Sequence, residues 1–316
     1  MKILITGVHG FVGSNLVKAL SKDNIIYGID IVSPIKEGVR FTFSWDFLDK
    51  DNEIPEVDAV IHLAGKAHDT QNQAAAETYF KVNTDLTKKV FDWFLKQPKC
   101  KKFVFFSTAK AAADKVDGVL TEEAVPTPVG PYGESKIKAE RYILDTLESR
   151  NDELTDKSVY IFRPCMIHGP GNKGNLNLLY NVVKKGIPWP LGAFENRRTF
   201  TSIGNICFAV EGVLTKNVPS GIYNMGDDDA LSTNELIEEI CKSLGKKAHI
   251  WKLPKGLMNG IAKFGGLLYL PLNPERLRKL TEDYVSSNAK IKKALGVEKM
   301  PVDARAGLQS TLKSFR

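Results

Sequence analysis

Residues 2–13 read KILITGVHGFVG, and they are the strongest fold signal in the chain. A short apolar run ends at Thr6, and Gly7, Gly10 and Gly13 follow at intervals of three. Glycines let the chain turn sharply, approach a pyrophosphate closely and pack a helix against a strand. The apolar spacing from Phe11 to Lys22 predicts that helix, and its first N–H groups are free to bind phosphate. The stretch therefore predicts a strand–turn–helix unit that holds a dinucleotide.

The next strand supports the same interpretation. Ile25–Asp30 reads as a buried strand that ends in a carboxylate. An acid at this place accepts hydrogen bonds from a ribose 2′-hydroxyl and repels a 2′-phosphate, which favours NAD over NADP. The alternative is a glycine-rich turn that binds no ligand.

The first half of the chain continues to alternate strands with helices. This pattern predicts an α/β fold, a Rossmann-type doubly wound parallel sheet covered by helices on both faces, with right-handed crossovers. The further predicted strands are 39–43, 58–64, 102–107 and 158–163, and a long helix over 74–97 ends before Pro98.

The second half is less regular and predicts a smaller C-terminal α/β substrate lobe. Residues 169–177 read as a glycine-rich loop, and the capping box Ser232–Glu235 starts a helix that runs to Leu244. Two more strands are predicted at 198–203 and 221–225. We expect an NAD-binding domain over 1–168, to which 200–225 return, and a substrate lobe formed by 169–199 and 226–316.

Composition excludes several classes of protein. The 316 residues are 26% charged, with 44 basic and 37 acidic side chains and hence a formal net charge of 44 − 37 = +7. No arginine-rich tract or zinc-ligand spacing accompanies this charge, so we expect no nucleic-acid partner. The four cysteines are far apart, which argues against a disulfide framework or a structural zinc site, and we expect no metal.

The apolar stretches favour a cytoplasmic protein without an integral membrane segment. The first apolar run is too short for a signal peptide. The stretch 256–272 is interrupted by Asn259, Lys263 and Pro271, whereas a membrane span needs roughly 20 apolar residues. We interpret it as a buried helix of the lobe; the alternative is a helix that lies on a membrane surface.

A candidate acid/base pair follows the strand that ends at Ser107 and Thr108. Tyr132 and Lys136 are four residues apart and so share one helix face. An ammonium beside a phenol lowers the phenol pKa, and the phenolate can take a hydroxyl proton while hydride leaves the same carbon. The Thr108 hydroxyl can orient the substrate oxygen. The alternative is an exposed helix face with an ion-paired lysine.

Taken together, these motifs resemble the extended short-chain dehydrogenases/reductases, specifically the NAD-dependent sugar-nucleotide epimerase/dehydratase family. The resemblance covers nearly the whole chain and includes HLAGKAH (62–68), FFST (105–108), YGESK (132–136) and RPCMIHGPG (163–171). Within the family, the chain is similar to bacterial enzymes of surface-polysaccharide synthesis that act at C4 of UDP-linked N-acetylhexosamines.

The resemblance assigns roles to individual residues. As catalytic residues it implies Thr108, Tyr132 and Lys136. As substrate-binding residues it implies Lys66, Thr108, Asn175, Arg198 and Arg278. The cofactor-binding residues that it implies are Gly7, Gly10, Phe11, Val12, Gly13, Asp30, Asp46, Phe47, Leu63, Ala64, Gly65, Lys66, Asn83, Ser107, Tyr132, Lys136 and Pro164.

Some residues depart from the family pattern. Ala109 and Lys110 follow Thr108 where dehydratases of the family usually carry Asp-Glu, which argues against a 4,6-dehydratase. His168 and Asn205 stand where the family more often has Tyr and Asp. Other polar residues have ordinary interpretations: Asn83 braces a helix, His62 and His68 pack or form hydrogen bonds, and Asp227-Asp228-Asp229 form a solvated turn.

Three functions stay open at this point. The first is C4 epimerisation of a UDP-hexose or UDP-N-acetylhexosamine through a 4-keto intermediate with NAD. The second is an NAD(P)H-dependent 4-ketoreductase of a UDP-4-keto-6-deoxy-N-acetylhexosamine. The third is a dinucleotide-binding regulator without catalysis, which has no need of Tyr132 and Lys136. The resemblance also implies a homodimer that pairs through helices 74–97 and 132–150.

Overall fold

A computed structural model of the chain describes residues 1–49, 55–67, 75–172, 174–267 and 273–315. In chain order its strands are β1 (Lys2–Thr6), β2 (Ile25–Ile29), β3 (Phe41–Phe43), β4 (Ala59–His62), β5 (Lys102–Phe106), β6 (Val119–Leu120), β7 (Ser158–Pro164), β8 (Met166–His168), β9 (Phe200–Ser202), β10 (Gly221–Met225) and β11 (Val285–Ser286). Its α-helices are α1 (Phe11–Leu20), α2 (Ala76–Tyr79), α3 (Leu86–Lys96), α4 (Ala109–Ala112), α5 (Gly130–Ser149), α6 (Asn175–Lys184), α7 (Ile203–Thr215), α8 (Thr233–Ser243), α9 (Lys255–Leu267), α10 (Pro274–Thr281), α11 (Ala289–Leu295) and α12 (Ala304–Lys313).

Seven parallel strands form the central sheet in the order β10-β7-β5-β4-β1-β2-β3. The predicted α/β fold with a doubly wound parallel sheet is therefore confirmed. Its strands are mostly apolar because helices cover both faces. In β1, Ile3 and Ile5 pack with α1 and α7 on one face, whereas Leu4 packs with α3 and α5 on the other.

The strand order reverses direction between β1 and β4. In an open α/β sheet, ligands bind at such a switch point, outside the carboxyl ends of the strands. Thr6 at the end of β1 lies in register with His62 at the end of β4. The turn Gly7–Gly10 and the segment 63–66 therefore leave the sheet side by side.

A second apolar cluster lies outside the sheet. It is built by helices α6, α8, α9, α10 and α12, which we call the outer lobe, around residues such as Tyr180, Ile240 and Leu277. Two short parallel pairs, β8 with β9 and β6 with β11, lie outside the main sheet. The chain returns to the sheet at β10, beside β7. The domain boundaries stated above stay predictions.

Several predicted elements differ from the observed ones. The helix expected over 74–97 consists of α2, a π-helical turn Phe80–Asp85 and α3. The loop expected to reach Asn177 ends earlier, because α6 begins at Asn175. Helix α7 was not predicted, since most of its residues are buried and it shows no polar face.

The stretch 256–272 is only partly the buried helix that the sequence predicted. Met258 and Ala262 of α9 are buried, but Leu257, Ile261 and Phe264 are each more than 40% exposed. Residues 268–272 lie outside the described part of the chain. Among the helices described, none is long and apolar enough to cross a bilayer.

Candidate active site

The glycine turn after β1 leaves no space for side chains. Gly7 has a φ of +70°, and its carbonyl accepts the Gly10 N–H at 3.0 Å. A Cβ on Gly13 would lie 2.4 Å from the Gly7 oxygen. Phe11 and Val12 then open α1, so this backbone cradle faces a helix N-terminus, the arrangement that fits a pyrophosphate.

The segment after β4 packs directly on this turn. A Cβ on Gly7 would lie 3.0 Å from the Ala64 nitrogen. Leu63 N–H donates to the Thr6 carbonyl at 3.2 Å, and Ala64 N–H donates to Thr6 Oγ1 at 3.1 Å. The two loops are thereby held together by the last residue of β1.

Asp30 follows β2 and ties the turn to the edge of the sheet. Its carboxylate accepts the His9 N–H at 2.9 Å and the Ile31 N–H at 2.8 Å. Asp46 is exposed in a 3₁₀ helix, Trp45–Asp49, that follows the neighbouring strand β3. The side chain of Phe47, like the whole of His68, lies outside the described residues.

Asn83 holds the segment Leu63–Lys66 against the helices. Its Oδ1 accepts the Lys66 N–H at 2.8 Å, and its Nδ2 donates to the Lys66 carbonyl and to Ser135 Oγ, each at 3.0 Å. Asn83 is completely buried in the π-helical turn. Such turns often occur at functional sites, because the extra residue re-aims a side chain.

Thr108 and Tyr132 meet where β5 ends. Thr108 caps α4, and its Oγ1 accepts the Lys110 N–H at 3.3 Å. The Tyr132 ring stands edge-on to Tyr79 at 6.4 Å between centroids. Burial raises the pKa of Tyr132, and a hydrogen bond from the Thr108 hydroxyl partly offsets this rise. The phenol is therefore protonated at neutral pH in this structure.

Lys136 lies one helical turn further along α5 and is 4% exposed. Its Nζ donates to the Phe106 carbonyl at 2.8 Å and lies 4.8 Å from the Phe105 ring centroid. A Cβ on Gly65 would lie 3.1 Å from this Nζ. Burial lowers the pKa of Lys136 to about 8, although nearby Glu140 opposes the change.

These positions correct one expectation from the sequence. Tyr132 and Lys136 share a face of α5, but the Tyr132 pKa is raised and not lowered. The reason is that desolvation of the phenol dominates, while the ammonium of Lys136 is directed at the Phe106 carbonyl.

A buried ion pair between α5 and β7, which the sequence analysis did not predict, lies next to the candidate site. Arg163 Nη2 lies 2.5 Å from Glu140 Oε2, and both side chains are at most 2% exposed. Ser107 Oγ also donates to Glu140. Pro164 follows Arg163 at the end of β7 and is buried. Glu140 lies four residues after Lys136 on α5, and this helical spacing is the sequence feature that could have placed Glu140 beside the candidate site.

Helix α10 of the outer lobe carries one predicted substrate arginine, Arg278, and contacts the other, Arg198. Arg278 on α10 contacts Asp114 at 3.2 Å and Glu282 at 2.9 Å. Arg198 donates a hydrogen bond to the Lys279 carbonyl. Burial lowers the pKa of Arg198, and the negative charge of Glu282 partly opposes this change.

Asn175 is exposed at the first position of α6, and no hydrogen bond among the described residues joins it to either arginine. The Lys66 Nζ lies 5.7 Å from the Tyr79 ring centroid, beside Tyr132.

A family model described as the NAD dependent epimerase/dehydratase family matches residues 3–226. The chain belongs to this family. The family assignment and NAD as the cofactor, both expected from the sequence, are thereby confirmed.

Two curated relatives and one solved structure illustrate what the chain is similar to. A Vibrio cholerae protein named UDP-glucose 4-epimerase is 30% identical over 267 residues, 80% of this chain and 78% of the relative. An Escherichia coli O157:H7 protein named N-acetyl-alpha-D-glucosaminyl-diphospho-ditrans,octacis-undecaprenol 4-epimerase is 29% identical over 92% of this chain and 84% of the relative. The structure of a Bacillus cereus UDP-glucuronic acid 4-epimerase with NAD has a TM-score of 0.74 at 21% identity, and the match covers 100% of this chain and 98% of the Bacillus cereus chain.

The predicted enzyme class, an NAD-dependent sugar-nucleotide 4-epimerase, is confirmed by the two curated relatives, which are both named as 4-epimerases.

Two departures from the usual epimerase/dehydratase pattern, Asn205 and His168, contact the same carboxylate. Asn205 Nδ2 donates to Asp227 Oδ1 at 2.7 Å, and His168 Nε2 lies 3.4 Å from the other oxygen of this carboxylate. An aspartate at 205 would place a second carboxylate against Asp227. The predicted solvated turn 227–229 is therefore wrong for Asp227, which is 3% exposed, whereas Asp228 and Asp229 are exposed as predicted, and Asp228 pairs with Lys292 at 2.7 Å.

Proposed function

We propose that this chain catalyses NAD-dependent epimerisation at C4 of a UDP-hexose or UDP-N-acetylhexosamine, through a transient 4-keto intermediate. The observation that carries the proposal is the convergence of Thr108, Tyr132 and Lys136 beside the glycine turn and the segment 63–66. Both curated relatives carry names that specify a reaction at C4 of a sugar diphosphate.

The described residues fit the cofactor. The tight turn of Gly7, Gly10 and Gly13 offers N–H groups to a pyrophosphate, and Asp30 offers its carboxylate to a ribose. In the proposed complex, the segment 63–66, Ser107 and Pro164 line the path between the turn and Tyr132. Bound NAD supplies the hydride acceptor and donor for C4.

Tyr132 moves the proton in this mechanism. Its Oη takes the proton of the substrate O4 as hydride leaves C4, and returns it after the sugar has turned over. The Thr108 hydroxyl, which already donates to the phenol oxygen, stabilises the phenolate and orients O4. Lys136 holds a positive charge beside Gly65, where it stabilises negative charge on Tyr132 and binds a ribose hydroxyl.

The two arginines at α10 supply the proposed site for the diphosphate of the substrate. Arg198 and Arg278 are the arginines of this site, and Asn175 and Lys66 complete the proposed set. Guanidinium groups bind phosphate oxygens in pairs, so a diphosphate can replace the carboxylates that Arg278 contacts in this structure.

The residues after Thr108 argue against dehydration. Water elimination needs an acid that can donate a proton to the leaving hydroxyl. The first carboxyl group after Thr108 along the chain is that of Asp114. Lys110 and Arg278 contact it and keep its pKa below the usual value, so it stays ionised and cannot donate.

The test uses purified protein without added cofactor. Denaturation followed by mass spectrometry and absorbance measures co-purified NAD, and incubation with UDP-GlcNAc, UDP-GalNAc, UDP-glucose and UDP-galactose measures interconversion. Bound NAD with interconversion at unchanged mass supports the epimerase, and Tyr132→Phe, which retains the ring, is the matched inactive control.

The opposite result identifies the alternative. A protein that is inert to all four sugars but consumes NADH or NADPH with a 4-keto-6-deoxy sugar is a reductase. The proposal also includes a role in surface-polysaccharide precursor synthesis, a cytoplasmic location and a homodimer that pairs through α3 and α5.

A further inference from the structure

Helix α9 presents two apolar stripes, and the described residues cover only one of them. Met258 and Ala262 are 2% and 1% exposed, and they pack into the core of the outer lobe. Leu257, Ile261 and Phe264 are 52%, 44% and 60% exposed. At 3.6 residues per turn, the exposed stripe lies about 100° around the helix from the buried one.

Further exposed apolar side chains lie beside α9 in the chain and on α6. Trp251, just before the helix, is 54% exposed. On α6, Leu178 and Val182 are 58% and 39% exposed one turn apart, and Ile187 follows at 55%. Backbone bridges from Trp189 to Ile250 and from Leu191 to Lys252 join the segment that follows α6 to the segment that leads into α9.

The same segments carry lysines and no carboxylates. Residues 174–194 and 240–274 contain no Asp or Glu. Their lysines with exposed side chains are Lys184, Lys185, Lys242, Lys246, Lys247, Lys252, Lys255 and Lys263. The carboxylate that follows, Glu275 on α10, is paired with Lys279. These two segments therefore carry a formal net charge of +8, compared with +7 for the whole chain.

We propose that this face of α9 and α6, the basic apolar face, docks on the surface of an anionic phospholipid bilayer. Apolar side chains with a rim of lysines bind such a surface because the former enter the headgroup boundary and the latter contact lipid phosphates. A second copy of this chain fits less well, because a two-fold interface would oppose lysine to lysine.

Docking here places the outer lobe toward the lipid. Helix α9 packs in the same cluster as α10, which carries Arg278. The membrane-facing surface and the proposed diphosphate site therefore belong to one lobe. The inference stands on the surface itself and does not depend on the reaction at C4.

The primary test is sedimentation of the full-length protein with large vesicles. Phosphatidylglycerol–phosphatidylcholine vesicles are compared with pure phosphatidylcholine vesicles, at low and high salt. We expect binding to the anionic vesicles only, and weaker binding at high salt.

Two variants separate the contribution of the lysines to vesicle binding from that of the apolar side chains. Lys252→Gln/Lys255→Gln/Lys263→Gln is expected to weaken binding roughly a hundredfold, since each lysine contributes about fivefold. Ile261→Ser/Phe264→Ser is expected to weaken it about tenfold or more through lost apolar burial. The matched control is Ile35→Ser/Val125→Ser, which changes two exposed apolar residues elsewhere and should bind as the unaltered protein does.

Fluorescence gives a second readout that a folding defect would not imitate. Trp251 should shift to shorter wavelength when anionic vesicles are added, and Trp251→Phe should remove this shift while the other three tryptophans remain. Failure of the unaltered protein to bind anionic vesicles overturns the proposal, as does undiminished binding by Ile261→Ser/Phe264→Ser. A change of oligomeric state in that variant, measured by light scattering, assigns the face to contacts between copies of the chain and also overturns it.

Discussion

Asn83 and the backbone of Lys66 exchange two hydrogen bonds, one from the Lys66 N–H at 2.8 Å and one to the Lys66 carbonyl at 3.0 Å. The pair fixes the segment 63–66 at the place where Gly65 meets the ammonium of Lys136. The side chain that looked like a helix brace in the sequence therefore connects the helices to the proposed cofactor site.

Asn83→Ala should loosen this segment more than it destabilises the fold. It leaves the half-buried Lys66 N–H and C=O without their side-chain partner, and an unsatisfied group costs about 1–3 kcal/mol when it is fully buried. We expect roughly tenfold weaker NAD retention or more, measured by titration of the stripped protein. Asn24→Ala, which removes a side-chain hydrogen bond to Leu20 far from the site, is the control. Equal NAD affinity in both variants would contradict this role.

Gly13→Ala should abolish tight cofactor binding. The new Cβ would lie 2.4 Å from the Gly7 oxygen and 2.9 Å from the Val8 backbone, so the turn must open. Overpacking of this kind costs about 1–3 kcal/mol, which is roughly ten- to hundredfold in affinity. The measurement is NAD content after purification. Gly260→Ala on α9, where no atom of the described residues lies within 4 Å of a Cβ, should retain the cofactor.

The value of kcat/KM should depend on the protonation of Tyr132 and Lys136, which both lie on α5. Tyr132 must lose a proton that burial holds, so kcat/KM should rise with pH. Lys136 has a pKa of about 8, and above it the required ammonium is lost as fast as phenolate is gained, so the rise should stop there.

Lys136→Arg separates these two contributions. A guanidinium remains charged, so in this variant the rise should continue beyond about pH 8, at a lower absolute rate. The measurement is log kcat/KM from about pH 6 to about pH 9.5 in both proteins. A level region at the same pH in both would assign the inflection to another group.

The sequence predicted the sheet and the motif positions because those depend on local patterns. Glycines at 7, 10 and 13 leave few conformations for the turn, and Tyr132 and Lys136 must share a face at helical spacing. The parallel sheet follows from apolar strands separated by helices, so β1, β2, β4 and β5 lie within the predicted ranges and β7 extends one residue beyond its range, to Pro164.

The missed features depend on tertiary contacts. The π-helical turn at Asn83 needs a partner at Lys66, seventeen residues earlier, that no local pattern reveals. Helix α7 is covered by α1, α11 and β9, so it has no polar face to give a period. The Tyr132 pKa follows from desolvation, which residue spacing alone does not specify.

The buried pair Glu140–Arg163 should make single substitutions costly and the double substitution mild. Glu140→Gln or Arg163→Met alone leaves one charge buried without its partner, which destabilises by about 3–5 kcal/mol. Glu140→Gln/Arg163→Met removes both charges and should recover most of that loss. Urea unfolding of the four proteins gives the coupling energy, and additive losses would contradict the pairing. Lys99→Gln, which breaks the exposed pair with Glu56, is the control and should change stability little.

His62 should make the folded protein sensitive to acid. Thr6 Oγ1 lies 2.7 Å from Nδ1 and Thr87 Oγ1 lies 2.9 Å from Nε2, and Thr87 donates its own proton to the Asn83 carbonyl at 2.7 Å. These contacts assign the neutral ring with its proton on Nε2, and burial lowers the pKa of His62 to about 3. As pH falls from 6.5 toward 3, the unfolded chain binds a proton that the folded chain does not, so the free energy of unfolding falls by about 1.4 kcal/mol per pH unit.

The acid sensitivity is measured against a variant that lacks the imidazole. His62→Asn keeps an oxygen that can accept from Thr6 but has no titrating group. It should be less stable at neutral pH, because the bond to Thr87 is lost, and its stability should decline less steeply with falling pH, so the two curves converge. Urea unfolding at about pH 7, 6, 5 and 4 gives both slopes. His249→Asn, at an exposed position, is the matched control. Parallel slopes for the unaltered protein and His62→Asn would mean that the buried imidazole already binds its proton in the folded chain.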